Sequence, residues 1–132
     1  MLNESSDNKA PGFKKHPGYR VDLLREGKRV RVLFNGVAVA DSADVLTVKE
    51  TGHAPVFYFP REDVRMDLLT PTSHRTHCPF KGDASYWTLT ADGKTSENAV
   101  WSYLAPYDET AGVRDRLAFY IHKMDEIVVE PS

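Results

Sequence analysis

The sequence predicts a mainly β domain, and three observations carry that prediction. From Lys28 onward apolar and polar residues alternate with period two, the pattern of a strand with one buried face. Turn signals recur at close intervals, above all Asn35-Gly36 and Ala91-Asp92-Gly93-Lys94, which join antiparallel neighbours because these residues tolerate positive φ. No segment holds a long period of 3.6 residues; Val113 to Met124 comes closest, and Phe119-Tyr120-Ile121 tips it toward strand. Many short strands at such spacing imply a compact sandwich or a folded-over sheet.

The elements follow in order. Met1 to Gly18 is polar and broken by Pro11, Gly12, Pro17 and Gly18, so residues 1–18 read as a flexible tail with little to bury. The remaining 19–132 form one domain, as a 132-residue chain allows. Val30, Val32 and Phe34 share one face of the first strand, with Arg29 and Arg31 on the other. The return strand carries Val37, Val39 and Asp41, and Val45 to Lys49 and Pro55 to Phe59 read as the third and fourth strands. Pro60 opens a helical turn through Arg61, Glu62, Asp63 and Val64, since Pro suits the first turn and acids suit its N-terminal end. Thr70 to Lys81, with Pro71 and Pro79, reads as an irregular loop. Ser85 to Thr90 and Thr95 to Leu104 form a hairpin, and Leu117 to His122 and Ile127 to Glu130 close the chain as strands.

Composition narrows the function classes. Lys plus Arg number 17 and Asp plus Glu 19, a formal net charge of −2, which argues against a nucleic-acid partner held by bulk charge. One cysteine makes no intramolecular disulfide and no Cys-pair zinc knuckle. No apolar run approaches the ~18 residues of a membrane span, and the N-terminus lacks a signal-peptide core. The expectation is a soluble cytoplasmic protein with no membrane partner and no cofactor. No sequence pattern sets its oligomeric state.

Five strings occur in order: VADSADVLTVKE, VFYFPREDV, THCPFKGDASYW, ENAVWSYLAPY and LAFY. Together they resemble the domain-of-unknown-function family 427, over roughly Val30 to Val129. The family's motif positions fall here on Asp41, Glu50, Tyr58, Pro60, Arg61, Asp63, Thr76, Cys78, Pro79, Lys81, Gly82, Tyr86, Trp87, Asn98, Trp101 and Tyr103. The resemblance implies a β-tent-like fold, two antiparallel sheets packed at a steep angle with a short helical turn. Many tents hold zinc with two Cys-x-x-Cys pairs; with Cys78 alone, that zinc cannot be present in its usual form. The family is also labelled nucleotidyltransferase-like. That chemistry needs paired acids on Mg²⁺ beside a small Gly-Ser phosphate loop, and neither stands in the sequence.

The residues offer three functional readings. The first is a small-molecule or peptide-binding module whose polar–aromatic pocket is lined by Tyr58, Arg61, Asp63, Lys81, Tyr86, Trp87, Trp101 and Tyr103. Tyr and Trp bring a ring and one polar tip each, which suits a half-wet pocket, and Trp87 and Trp101 on adjacent hairpin arms are expected to be close. Arg61 supplies a planar fork for a carboxylate or phosphate. The second is an enzyme with Cys78 as nucleophile, its thiol activated by His77 or Lys81, with Asp63 a further catalytic candidate. The third is a structural or interaction domain in which all of these residues are core. His74, His77 and Cys78 have the look of a metal cluster, but scattered surface histidines are the commoner outcome, and no metal is expected. Asp41 and Glu50 are either paired carboxylates or partners of basic residues such as Arg29, Arg31 and Lys49.

Overall fold

Alternation places each strand. The computed structural model describes residues 8–131. Strand β1 (Val21–Leu24) pairs with β4 (Leu46–Glu50), and β4 pairs with β5 (Val56–Tyr58). Strand β2 (Lys28–Phe34) lies between β3 (Val37–Ser42) and β10 (Glu126–Pro131). The third sheet runs in the order β6 (Leu69–Cys78), β7 (Gly82–Ala91), β8 (Lys94–Tyr103) and β9 (Leu117–Phe119). Every pairing within these sheets is antiparallel. The mainly β, antiparallel class is therefore the observed one, with its strands divided among three open sheets rather than two.

The turns behave as their residues require. Asn35 and Gly36 have φ of 50° and 78°, and Asp92 and Gly93 have 49° and 83°, the left-handed pairs that a tight hairpin demands. Val30, Val32 and Phe34 are buried, while Arg29 on the opposite face grips Asp41 at 2.9 and 2.8 Å. Pro60 precedes the single turn Arg61–Asp63, as Pro-then-acid predicts. Within β8, Asn98 takes φ of 50° beside a register shift between Trp87 and Leu89. This is a bulge: the Asn98 N–H turns to Thr88 Oγ1 at 3.2 Å, and Asn98 Oδ1 accepts the Thr72 hydroxyl at 2.7 Å.

The four-stranded sheet separates two apolar clusters. One gathers Val30, Val32, Phe59, Trp87, Leu89, Val100, Leu117 and Phe119. The other gathers Leu46, Val48, Tyr58, Tyr86, Tyr103, Val113 and Ala118. Reciprocal Phe59–Leu117 hydrogen bonds at 2.8 and 2.9 Å tie the end of β5 to β9, and this link positions the aromatic residues discussed below.

One expectation needs correction. Thr70 to Lys81 is not a loop: Leu69–Cys78 is a ten-residue strand. Pro79 lies past the strand, and Pro71 is accommodated because β6 is the sheet edge, where a missing N–H is tolerated, while an irregularity between Pro71 and Arg75 absorbs the disruption. Part of the stretch before Tyr19 is hydrogen-bonded to the domain. Residues 8–18 lie against the domain through the short helix α1 (Pro11–Lys15), while residues 1–7 lie outside the described residues. Gly12 N–H bonds Pro79 O at 3.0 Å, Ala10 N–H bonds the Glu109 carboxylate at 2.9 Å, and Asn8 Nδ2 bonds Asp108 at 2.8 Å. Phe80 sits between Phe13, edge-on at 5.0 Å, and Tyr19, stacked at 3.9 Å.

Candidate functional site

Register decides which aromatic side chains meet. Tyr86 pairs with Trp101 and Ala84 with Tyr103 across β7 and β8, so Tyr86, Trp101 and Tyr103 share one face. From β5, Tyr58 joins them. Trp101 Nε1–H donates to Tyr58 Oη at 3.2 Å with the rings perpendicular. Tyr86 Oη is hydrogen-bonded to Thr76 Oγ1 at 2.9 Å and to Tyr120 Oη at 3.1 Å. Burial pushes the phenols of Tyr58 and Tyr103 above the ordinary tyrosine range. Burial, with the Tyr86 hydrogen bond, carries Tyr120 up to about 12. These hydroxyls stay protonated at physiological pH and serve as neutral hydrogen-bonding groups. Replacing Tyr58 by Phe removes only the acceptor, so it should cost about 1 kcal/mol in urea unfolding, the range of one buried hydrogen bond.

A charged pair lies beside this cluster. Gly82, whose φ of 113° is one that side-chain-bearing residues rarely adopt, follows Lys81 at the start of β7. Lys81 is only 4% exposed. Its ammonium bonds Glu50 and stands 5.9 Å from the Tyr103 ring centroid. The Tyr19 hydroxyl donates to the second Glu50 oxygen at 2.6 Å. Burial acts to raise the Glu50 carboxyl, but the bonds from Lys81 and Tyr19 together outweigh it and hold the group below the usual carboxylate range. Glu50 and Asp41 are thus partners of basic residues, not paired carboxylates.

The structure divides the predicted ligand-binding set. Tyr58, Tyr86, Trp101 and Tyr103 belong to one cluster with Lys81 at its edge. Trp87 points to the opposite face, because it pairs with Val100 rather than Trp101; the two tryptophans are not neighbours. Arg61 lies over the Trp87 ring at 5.4 Å, and Asp63 accepts the Ser42 hydroxyl at 2.6 Å. Both therefore brace the turn after β5 on the far side of the sheet.

The catalytic candidates are likewise apart. Cys78 packs against the Tyr58–Tyr103 cluster and makes no side-chain hydrogen bond among the described residues. His77, the next residue along the strand, faces the other way, with Nδ1 2.7 Å from Asp83. Lys81 is engaged by Glu50. Among the described residues, neither His77 nor Lys81 is hydrogen-bonded to the thiol. Nor do the residues fit a tent zinc: His74 lies edge-on to Tyr86 at 4.6 Å, His77 is held by Asp83, and no three His, Cys, Asp or Glu converge among the described residues.

An open pocket of about 480 Å³ adjoins the cluster. It lies between the His53–Phe57 segment, Phe59 and the Phe119–His122 segment, with Trp101 and Ile127 completing the wall. Of the predicted ligand-binding residues only Trp101 borders it. The rings of Trp101 and Tyr120 approach to 4.4 Å between centroids, and their polar tips turn away to Tyr58 and Tyr86. Phe57, Tyr120 and His122, which line the pocket, are not among the candidate site residues that the sequence suggests. Tyr120 was legible only as part of a strand. The break after Phe119 into a turn at Ile121–Lys123 is what brings it to the pocket.

The family model described as "Domain of unknown function (DUF427)" matches residues 22–130, which is most of the chain, so the chain belongs to that family. No curated protein matches it. No helix among the described residues is long and apolar enough to cross a membrane.

Proposed function

We propose that this member of the DUF427 family is a binding module for a small, flat, mostly apolar molecule, held in the pocket beside Trp101 and Tyr120. The observation that carries the reading is the wall itself: Phe57, Trp101 and Tyr120 line one cavity of about 480 Å³, with the buried Phe59 and Phe119 behind them. That volume is within the ~300–1,000 Å³ of small-molecule sites, which are concave and largely apolar. The Trp101–Tyr58 and Tyr120–Tyr86–Thr76 hydrogen bonds fix the two main rings before a ligand arrives, so binding spends little on ordering side chains. A bicyclic ligand of roughly a dozen heavy atoms at ~0.3–0.5 kcal/mol per atom would bind with a dissociation constant between roughly 0.04 and 2 mM.

Titration with naphthalene-2-methanol, followed by backbone and indole amide NMR shifts, tests the reading. The indole N–H of Trp101 and the amides of Phe57, Tyr120 and Ile121 are expected to move together. Tyr120→Ala should weaken binding about tenfold, and Ile121→Ser, at a rim residue 63% exposed, about threefold. Shifts confined to other surfaces, or none at 5 mM ligand, would reject the pocket as a binding site.

A further inference from the structure

We propose that the ligand of this pocket carries a negatively charged head, so that the class is a planar aromatic monoanion such as an aromatic carboxylate. The proposal rests on the binding reading above and adds the charge of the ligand.

The argument turns on which lining groups can carry charge. Among the residues bordering the cavity, the ionisable ones are His53, His122 and Tyr120. Tyr120 keeps its proton, since burial and the Tyr86 bond push it up to about 12. The pocket lining is therefore neutral or positive at any physiological pH and holds no carboxylate to receive a cation. Both imidazoles are exposed, at the two ends of the segments that form the mouth, and His122 lies 5.5 Å from the Tyr120 ring. Whether neutral or protonated, an imidazole offers an N–H donor to an anion. The aromatic floor leaves the ligand body flat and the mouth leaves its polar end at the histidines.

Neighbouring charges do not reverse this. Lys123 stands 5.8 Å over the Tyr120 ring while donating to Glu97 O, adding positive potential where a cationic ligand would have to stack. Glu50 is close enough to feel the charge of His53, but both its oxygens are held, one by Lys81 and one by Tyr19. Glu126 precedes the lining residue Ile127 in β10 and points to the other face by strand alternation. Asp125 accepts the Asn35 N–H at 2.7 Å. The opposing possibility is that aromatic rings without an acid form a cage for an ammonium group through cation–π attraction; the histidines and Lys123 disfavour it.

Three probes of one shape decide between them at pH 7: naphthalene-2-carboxylate, naphthalene-2-methanol and (naphthalen-2-ylmethyl)trimethylammonium. The carboxylate is expected to bind at least threefold tighter than the alcohol, and the ammonium at least threefold weaker. In the full chain carrying His53→Ala and His122→Ala, at exposed positions, the ratio of carboxylate to alcohol affinity should fall to about one. Equal affinities, or an advantage unchanged in the double variant, overturn the proposal and leave the binding reading standing. Tightest binding of the ammonium overturns it in favour of a cation cage. Failure of all three to perturb the pocket overturns both.

Discussion

Lys81→Met should destabilise the domain by about 2–3 kcal/mol, read as a lower urea midpoint at unchanged slope. Removing one partner of a buried ion pair leaves an uncompensated charge, typically at ~3–5 kcal/mol. The Glu50 side chain keeps 16% exposure, so part of its hydration returns and the lower end applies. Replacing both members, Lys81→Met with Glu50→Leu, should recover most of the loss, because the pair itself offsets much of its own desolvation. A single-site loss below about 0.5 kcal/mol would mean the pair is as inconsequential as a surface salt bridge.

The same variant should invert a pH dependence. In the native protein the Glu50 carboxyl lies below its ordinary value of 4.5. The unfolded chain then binds the proton more readily, so the contribution of Glu50 is present above about pH 4.5 and is lost as pH falls through the lower, folded value. Without Lys81, burial, the largest influence on Glu50, outweighs the remaining Tyr19 bond and raises the group. Its contribution is then present below the unfolded value and is lost as pH rises through the folded one. Stability measured between pH 3.5 and 6 should rise with pH in the native protein, and its Glu50-dependent part should fall in Lys81→Met. Parallel curves for the two proteins would contradict the assigned environment of Glu50.

What the sequence disclosed follows from the range of each interaction. The hairpins were legible because Asn35-Gly36 and Asp92-Gly93 need positive φ locally, and the structure has it at all four positions. The shared face of Trp101 and Tyr103 was legible because strand alternation is local as well. The separation of Trp87 from Trp101 was not, since it depends on β7 and β8 pairing Tyr86 with Trp101, and a shift of one residue would have reversed it. The Lys81–Glu50 pair joins residues 31 apart, with neither position bearing a local mark of its partner. The pocket depends on a still longer relation, the bridge of Phe59 to Leu117, which brings the His53–Phe57 segment against Tyr120. Strand β6 was hidden by Pro71, whose cost depends on the strand being an edge, a property of the whole sheet.

Gly12→Val should cost about 2 kcal/mol, while Gly18→Val, six residues on in the same polar stretch, should change stability by less than about 0.5 kcal/mol. The contrast follows from what a Cβ would meet. At Gly12 it would lie 2.6 Å from Phe80 Cε1 and 2.9 Å from the Pro79 carbonyl oxygen. Backbone cannot rotate away, and overpacking of this kind costs ~1–3 kcal/mol. At Gly18 nothing lies within 4 Å. Relief of the clash would require residues 8–16 to leave the domain, forfeiting the Gly12–Pro79 and Ala10–Glu109 hydrogen bonds and the Phe13–Phe80 contact. An edge-on aromatic pair adds ~0.5–1.5 kcal/mol beyond its buried area, so loss of the segment sets a similar scale to the clash. Deleting residues 1–18 should accordingly lower the melting temperature by about 5–10 °C, taking ~4 °C per kcal/mol for a domain of this size. The deletion leaves Tyr19, and with it the bond to Glu50 and the stack on Phe80, so the acid dependence of Glu50 should survive. A deletion that leaves the melting temperature unchanged would show that residues 8–18 rest on the domain without stabilising it, and would return them to the flexible tail that their composition suggests.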